Sequence, residues 1–168
     1  MYKRQVPLVS IKGELETTLR WIREEIKEAP IDIPLGTMIE TPRAALIAED
    51  LAPLVDFMSF GTNDLTQMTY GFSRDDVEAS VIKQYIKMDI LQESPFAQLD
   101  ASGVGKLVQE AINSSRAVNP EIKIGICGEH GGDPSSIRFL VNSGVNYVSC
   151  SPPRIPIARL VSAQESLK

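Results

Sequence analysis

The feature that most constrains the fold of this chain is a regular alternation of strand-like and helix-like segments along its whole length. Short apolar runs typical of buried strands cover residues 5–10, 35–40, 55–60, 122–127 and 145–150. Helix-like segments lie between and after these runs, and residues 11–26 and 104–112 have apolar positions at steps of three and four, as on one face of a helix. Strands that alternate with helices in this way form parallel sheets with crossover helices. The sequence therefore predicts an α/β fold.

Local signals place the helices between these strands. A helix is predicted over residues 11–26, and Thr41 followed by Pro42 is typical of a helix start, with Thr as the N-cap and Pro at the first position. Residues 70–102 are polar and predict a loop excursion with short helices at most. Further helices are predicted from Val104, after Asp133-Pro134, and after Pro152-Pro153.

Two architectures fit five such units. One is a doubly wound sheet, and the other is part of a TIM-type (β/α)8 barrel. A complete eight-fold barrel needs about 250 residues, so five βα units in 168 residues would be five-eighths of one. The length predicts a single domain over residues 1–168.

Composition excludes several classes of protein. The chain has 17 Lys and Arg against 22 Asp and Glu, a net charge of -5, without any basic block that would indicate nucleic-acid or membrane binding. No apolar run approaches the roughly 20 residues that span a bilayer, and the first residues do not form a secretory signal. Two cysteines, 23 residues apart, are neither a disulfide scaffold nor a zinc pattern, so we expect a cytoplasmic protein.

Polar and glycine-rich residues lie directly after three of the predicted strands: Glu40, then Gly61 to Asp64, then Cys127 to Gly132. In both architectures the carboxyl ends of the strands form the ligand-binding edge. These residues are therefore the candidates for a functional site.

Glu40 and Asp64 would place two carboxylates on that edge, one βα unit apart. Mg²⁺ typically takes one or two protein carboxylates and completes its shell with substrate and water, so a hard-cation site is plausible. The alternatives are a solvated acid or capping partner for Glu40 and an Asx turn for Asp64.

Cys127 stands at a strand end before the run Gly-Glu-His-Gly-Gly. A thiol beside a carboxylate and an imidazole can transfer protons or act as a nucleophile, whereas the alternative is a small buried residue. His130, the one histidine of the sequence, is more typical of a structural role, and Cys150 is interpreted as a core residue.

Five longer motifs together resemble a known family. They are GTMIETPRAAL, SFGTNDLTQMTYGFSRDD, GVGKLVQEA, GICGEHGGDPSS and YVSCSPPRIPIARL. In this order they resemble the C-terminal phosphoenolpyruvate-binding domain of the pyruvate, phosphate dikinase family, from Val6 to the end of the chain. Phosphoenolpyruvate synthase and enzyme I of the sugar phosphotransferase system are more distant relatives, and the SRDD and SCSP strings favour the dikinase over both.

The resemblance implies a fold and a chemistry. The family fold is an eight-stranded α/β barrel, of which this chain would hold the last five βα units. The family converts ATP, phosphate and pyruvate reversibly to AMP, diphosphate and phosphoenolpyruvate. By motif match, Glu40 and Asp64 resemble the Mg²⁺ ligands, residues 61–64 with Glu40 resemble the substrate-binding group, and Cys127 resembles the acid/base that exchanges protons with the substrate carbon.

The resemblance also implies that several parts of the family's enzymes have no counterpart in this sequence. The nucleotide domain, the phosphohistidine domain and the substrate-clamping arginines of the earlier barrel strands have no counterpart here. The chain would thus be an inactive part of a phosphotransferase that binds pyruvate or phosphoenolpyruvate with Mg²⁺. The alternatives are a non-catalytic module that folds or binds a partner, and a phosphotransferase of the phosphoenolpyruvate synthase type.

We further expect self-association. Five strands of an eight-stranded barrel leave two open edges, and an open edge is a template for pairing with another chain. We also expect an exposed apolar inner face, and the family relationship implies a homodimer. A homo-oligomer, or an aggregation-prone chain, is the predicted state.

Overall fold

The structure is a computed structural model that describes residues 4–167, so residues 1–3 and 168 of the expected domain lie outside the described residues. One parallel sheet has its strands in chain order. The strands are β1 (Arg4–Val6), β2 (Leu35–Ile39), β3 (Phe57–Gly61), β4 (Lys123–Cys127) and β5 (Tyr147–Val148). A doubly wound sheet reverses its strand order at a switch point. The unreversed order is that of a partial barrel, which decides between the two predicted architectures.

Helices connect the strands. They are α1 (Lys12–Ile26), α2 (Pro42–Leu46), α3 (Ala48–Leu51), α4 (Thr62–Tyr70), α5 (Arg74–Val77), α6 (Lys83–Lys87), α7 (Val104–Val118), α8 (Pro134–Asn142) and α9 (Ile155–Ser166). A π turn over Glu78–Ile82 joins α5 to α6. Short 3-10 turns cover Ala52–Leu54, Glu129–Gly132 and Pro152–Arg154. No helix within residues 4–167 is long and apolar enough to cross a membrane.

Two helix starts confirm the capping signals of the sequence. The Thr41 hydroxyl accepts a hydrogen bond from the Ala44 N–H at 3.0 Å, and Pro42 is the first residue of α2. The Asp133 carboxylate accepts from the Ser136 N–H at 2.7 Å at the start of α8. These bonds satisfy amide groups that have no partner inside the first turn of a helix.

Four segments differ from their predicted extents. The strand predicted over residues 5–10 is limited to β1, because Leu8 has a φ of 50°, which no extended strand can contain. The strand predicted over residues 145–150 is reduced to β5, which pairs with β4 at only two positions. Residues 61–64 are not a turn, because Thr62 begins α4. The predicted excursion contains a continuous helical run over residues 74–87.

The two faces of the sheet differ in chemistry. Its helix-covered face holds the core residues Leu35, Ile39, Met58, Phe60, Ile124 and Ile126, all buried. On the inner face, the Phe57 ring lies over Gly36 and the Tyr147 ring lies over Gly125, where a Cβ atom would overlap each ring.

The expectation of an apolar inner face is wrong. A cavity of about 360 Å³ on this face is lined by both aromatic rings together with Arg4, Gln5, Ser59, Cys127 and Ser149. The inner face thus combines polar side chains, glycines and two aromatic rings, which suits a polar ligand better than a hydrophobic core.

Candidate functional site

The register of the sheet brings three of the predicted site residues into one row. Gly61 pairs with Cys127, and Ile39 pairs with Phe60, so that Glu40 and Gly61 follow as the next neighbours. Glu40, Gly61 and Cys127 therefore stand side by side at the carboxyl ends of β2, β3 and β4. In barrel folds this edge carries the ligand.

Glu40 is held in place by the chain that follows β1. Its Oε1 accepts a hydrogen bond of 2.7 Å from the Leu8 N–H, and the side chain is only 3% exposed. Leu8 adopts the left-handed conformation, rare for a leucine, that directs this N–H at the carboxylate. The other oxygen, Oε2, lies above Gly61, where a Cβ atom would overlap it. Gly61 thus provides the space that the carboxylate occupies.

Electrostatics indicate that Glu40 lies close to a second acid. Burial raises the pKa of Glu40, the Leu8 N–H lowers it, and the negative charge of Asp64 raises it again. A cation beside the two carboxylates would offset the repulsion between their negative charges. Within residues 4–167 no group of three or more His, Cys, Asp or Glu could hold a metal. A metal at this edge would therefore take few protein ligands, as Mg²⁺ commonly does.

The first turn of α4 points its amide groups at the same edge. Gly61 is the N-cap of this nine-residue helix and provides no side-chain cap. The Asn63 Oδ1 accepts from the Glu129 N–H at 3.1 Å, which fixes the orientation of the Asn63 side-chain amide. Amide donors together with the helix dipole favour carboxylate or phosphoryl oxygens at this position.

Cys127 lies on the inner face within a small hydrogen-bonding group. Its Sγ is 3.5 Å from the Phe60 carbonyl oxygen, to which the thiol can donate, and the Ser59 hydroxyl lies 3.6 Å from the same sulfur. The thiol is half-buried and borders the cavity of the inner face. A thiol beside both a carbonyl acceptor and a hydroxyl is a chemically suitable group for proton transfer.

His130 is fully buried behind this row. Its Nδ1 lies 2.8 Å from the Thr62 hydroxyl and its Nε2 lies 2.9 Å from the Pro95 carbonyl oxygen. The Thr62 hydroxyl also lies 3.2 Å from the carbonyl oxygen of Cys127. The histidine thus contacts Thr62, one of the predicted site residues. The sequence favoured a structural role for His130, and its position is directly beside the candidate site.

Sequence reasoning missed three contributors to this edge: Leu8, Ser59 and Pro95. Ser59 had a detectable signal, since a polar residue two positions before Gly61 in an apolar strand shares its face of the sheet. Leu8 and Pro95 contribute backbone atoms, so their residue types carry no signal.

Comparisons with known proteins agree over nearly the whole chain. A family model described as "PEP-utilising enzyme, PEP-binding domain" matches residues 4–167. The chain is 51% identical over 168 residues to pyruvate, phosphate dikinase 2 of Oryza sativa subsp. japonica, and 51% identical over 168 residues to pyruvate, phosphate dikinase of Clostridium symbiosum. Each match covers 96% of this chain and 19% of the relative.

A chloroplastic relative is equally similar. Pyruvate, phosphate dikinase 1 of Arabidopsis thaliana is 52% identical over 165 residues, which are 95% of this chain and 17% of that protein. The chain thus spans less than one-fifth of the length of these relatives. Among solved structures, a citrate lyase from Burkholderia xenovorans LB400 superposes with a TM-score of 0.62 at 18% identity, over 94% of this chain and 48% of that one. This last likeness concerns the fold.

Proposed function

Because the chain belongs to the PEP-utilising enzymes through their PEP-binding domain, we propose that it binds phosphoenolpyruvate and pyruvate as part of a phosphotransferase of the pyruvate, phosphate dikinase type. The observation that carries the proposal is 51–52% identity to proteins of that name over nearly all of this chain. The reaction of the complete protein would convert ATP, phosphate and pyruvate reversibly to AMP, diphosphate and phosphoenolpyruvate.

In this proposal, different residues at the strand ends bind the metal and the ligand oxygens. Glu40 and Asp64 hold Mg²⁺, which when bound supplies positive charge for the enolate oxygen of pyruvate. Asn63 and the first-turn amides of α4, which begins at Thr62, receive carboxylate or phosphoryl oxygens of the ligand. Gly61 keeps the space between these groups free of side-chain atoms.

Cys127 is the proposed acid/base. As a thiolate it takes a proton from the methyl carbon of pyruvate, and the electron pair of the broken C–H bond forms the enolate. In the reverse direction the thiol returns the proton to the methylene carbon. The Ser59 hydroxyl can donate to the sulfur, and the Phe60 carbonyl can accept from the thiol.

The acid/base proposal is tested by exchange of the pyruvate methyl protons with deuterium, followed by NMR. The protein is a chimera in which residues 4–167 replace the matching stretch of the Clostridium symbiosum relative. Cys127→Ser should slow exchange by about 10²-fold or more, because general acid–base catalysis typically contributes that much. The matched control is Cys150→Ser, which should keep the exchange rate. Undiminished exchange in Cys127→Ser would assign the role to another residue.

The metal proposal is tested by titrating Mn²⁺, a spectroscopic probe for the Mg²⁺ site, into the 168-residue chain. Two carboxylates without substrate should bind it weakly. Asp64→Asn should reduce the affinity by at least about tenfold, as even outer ligands of metal sites commonly do. Asp50→Asn, an exposed acid on α3, is the control. Equal binding by the wild type and Asp64→Asn would show that these carboxylates do not form the site.

A further inference from the structure

His130 lies where three segments of the chain meet. It belongs to the turn that follows β4, whose last residue is Cys127. Its Nδ1 contacts Thr62 at the start of α4, and its Nε2 contacts Pro95 in the segment between α6 and α7. The ring is fully buried, so both nitrogens depend on these partners for hydrogen bonding. Neither the motif match nor the proposed mechanism assigns this residue a role.

The partners determine where the ring carries its proton. The Pro95 carbonyl can only accept, so Nε2 must carry a hydrogen. In a neutral ring Nδ1 is then an acceptor, and the Thr62 hydroxyl donates to it. That hydroxyl has a single proton, so it cannot donate to the carbonyl oxygen of Cys127 at the same time.

The surroundings favour the neutral ring. Burial lowers the pKa of His130, which outweighs the opposing Pro95 carbonyl and the charges of Asp133 and Glu129, and Arg74 lowers it further. The Thr62 hydroxyl therefore donates to His130, and the ring and α4 are joined by one directed hydrogen bond.

The same two segments touch at a second position. Gly128, with a φ of 116°, has Thr62 Oγ1 at 2.8 Å and Asn63 Oδ1 at 2.9 Å from the position that a Cβ would take. The Glu129 N–H donates to Asn63 within the same contact. The turn after β4 is thus packed directly on the first turn of α4, with His130 behind the contact.

We propose that His130 is a positioning residue: through Thr62, its ring sets the placement of the turn that follows Cys127 against the first turn of α4. The role of these two turns in binding and proton transfer rests on the proposed function, whereas the link between them stands on the geometry alone. Loss of the ring should displace Cys127 relative to its neighbours and alter the reactivity of its thiol.

The tautomer provides the first test, in the 168-residue chain. His130 is the one histidine of the sequence, so its ring ¹⁵N signals need no assignment. We expect the Nε2-protonated form, with an Nδ1 signal that shifts in Thr62→Val. Thr66→Val is the matched control, because Thr66 lies one turn later, is fully buried and has a hydroxyl without a hydrogen-bond partner in the structure. An Nδ1-protonated ring, or an equal response to both variants, would overturn the proposal.

The thiol provides the second test. In the native chain, alkylation by iodoacetamide is followed for Cys127 and Cys150 separately by peptide mass spectrometry. His130→Gln can keep a donor near Pro95 but has no nitrogen at the Nδ1 position that Thr62 contacts. It should change the Cys127 rate at least threefold while the Cys150 rate stays constant. Thr62→Val should change the Cys127 rate in the same direction, and Thr62→Ser, which retains the hydroxyl, should restore it.

Ser115→Ala, at a buried serine that contacts Met58 away from the sheet edge, controls for general loss of stability. A Cys127 rate that is unchanged in His130→Gln and Thr62→Val, or that changes as much in Ser115→Ala, would contradict the positioning role. If the link is found but the chimera shows no pyruvate exchange, the proposed function fails and the positioning role stands. If the chimera exchanges pyruvate protons but the Cys127 alkylation rate is the same in both variants as in the wild type, the positioning role fails and the proposed function stands.

Discussion

Gly61 leaves open the space that the Glu40 carboxylate occupies. A Cβ at this position would overlap both Oε2 and Cβ of Glu40, so Gly61→Ala must displace the carboxylate or the strand. We expect destabilisation of about 1–3 kcal/mol, the usual cost of an added methyl in a packed position, and loss of Mn²⁺ binding.

The matched substitution is Gly13→Ala, since nothing lies within 4 Å of that Cβ position in α1. Alanine there should be neutral or stabilising by up to about 1 kcal/mol. Urea denaturation with Mn²⁺ titration measures both variants. Unchanged Mn²⁺ affinity in Gly61→Ala would show that Glu40 is not a ligand of the metal.

His130 also predicts how stability depends on pH. Because burial lowers its pKa in the folded chain, the unfolded chain binds a proton more readily. The stabilisation is complete above the unfolded pKa of about 6.5 and is lost as the pH falls from there through the lower folded pKa. His130→Gln should lessen this dependence, as measured by urea denaturation between about pH 5 and 8. If the free energy of unfolding depends equally steeply on pH in the variant, groups other than His130 cause the dependence.

Among the helices, α8 is attached through its cap. The Asp133 carboxylate accepts from both the N–H and the hydroxyl of Ser136, and the Ser136 Oγ accepts from the Leu99 N–H at 2.9 Å. The cap thus joins α8 to the segment that precedes α7. Asp133→Ala should cost about 1 kcal/mol, as N-cap truncations typically do, whereas Asp133→Asn retains an acceptor and should cost less. Equal losses in urea denaturation would show that the capping bond is not what stabilises α8.

The whole molecule has an incomplete architecture. Within residues 4–167, β1 and β5 each have one neighbouring strand. Beside β5, a cavity of about 540 Å³ is lined by polar side chains such as Arg159 and by apolar ones that include Val148 and Ile155, the last of which is 45% exposed. Apolar burial provides about 25 cal/mol per Å², so covering this region favours association.

We therefore expect the 168-residue chain to self-associate. Sedimentation equilibrium over a wide concentration range should show a dimer or larger species. Ile155→Asp, which places a charge at the rim of the cavity, should shift the equilibrium towards monomer, and Glu24→Gln on the exposed face of α1 is the control. A single monomeric species at high concentration would show that the open sheet is stable without a partner.

The matched residues are a small part of each relative. They span 17–19% of the length of the dikinases to which they are similar. We expect no diphosphate release that depends on ATP, phosphate and pyruvate from the 168-residue chain, measured against a blank without protein. Clear turnover would show that the parts of the relatives outside the match are not needed.

Much of this protein was predictable from local sequence patterns. Apolar periodicity identified five strands and several of the helices, but not α4, whose start was predicted as a turn. The pairs Thr41-Pro42 and Asp133-Pro134 marked two helix starts correctly. The placement of Glu40, Gly61 and Cys127 at strand ends also followed, because the end of an apolar run is visible in the sequence itself. These features depend on residues within a few positions of one another.

Tertiary pairing decided the rest. The choice of a partial barrel over a doubly wound sheet depended on which strands lie side by side, and periodicity shows that a strand is buried but not beside which neighbour. The bond from Leu8 to Glu40 joins residues 32 positions apart, and the contact of His130 with Thr62 spans 68. Such contacts exist only after the crossover helices have brought the strand ends together, so the sequence supplied the residues of the site and the folded sheet supplied their arrangement.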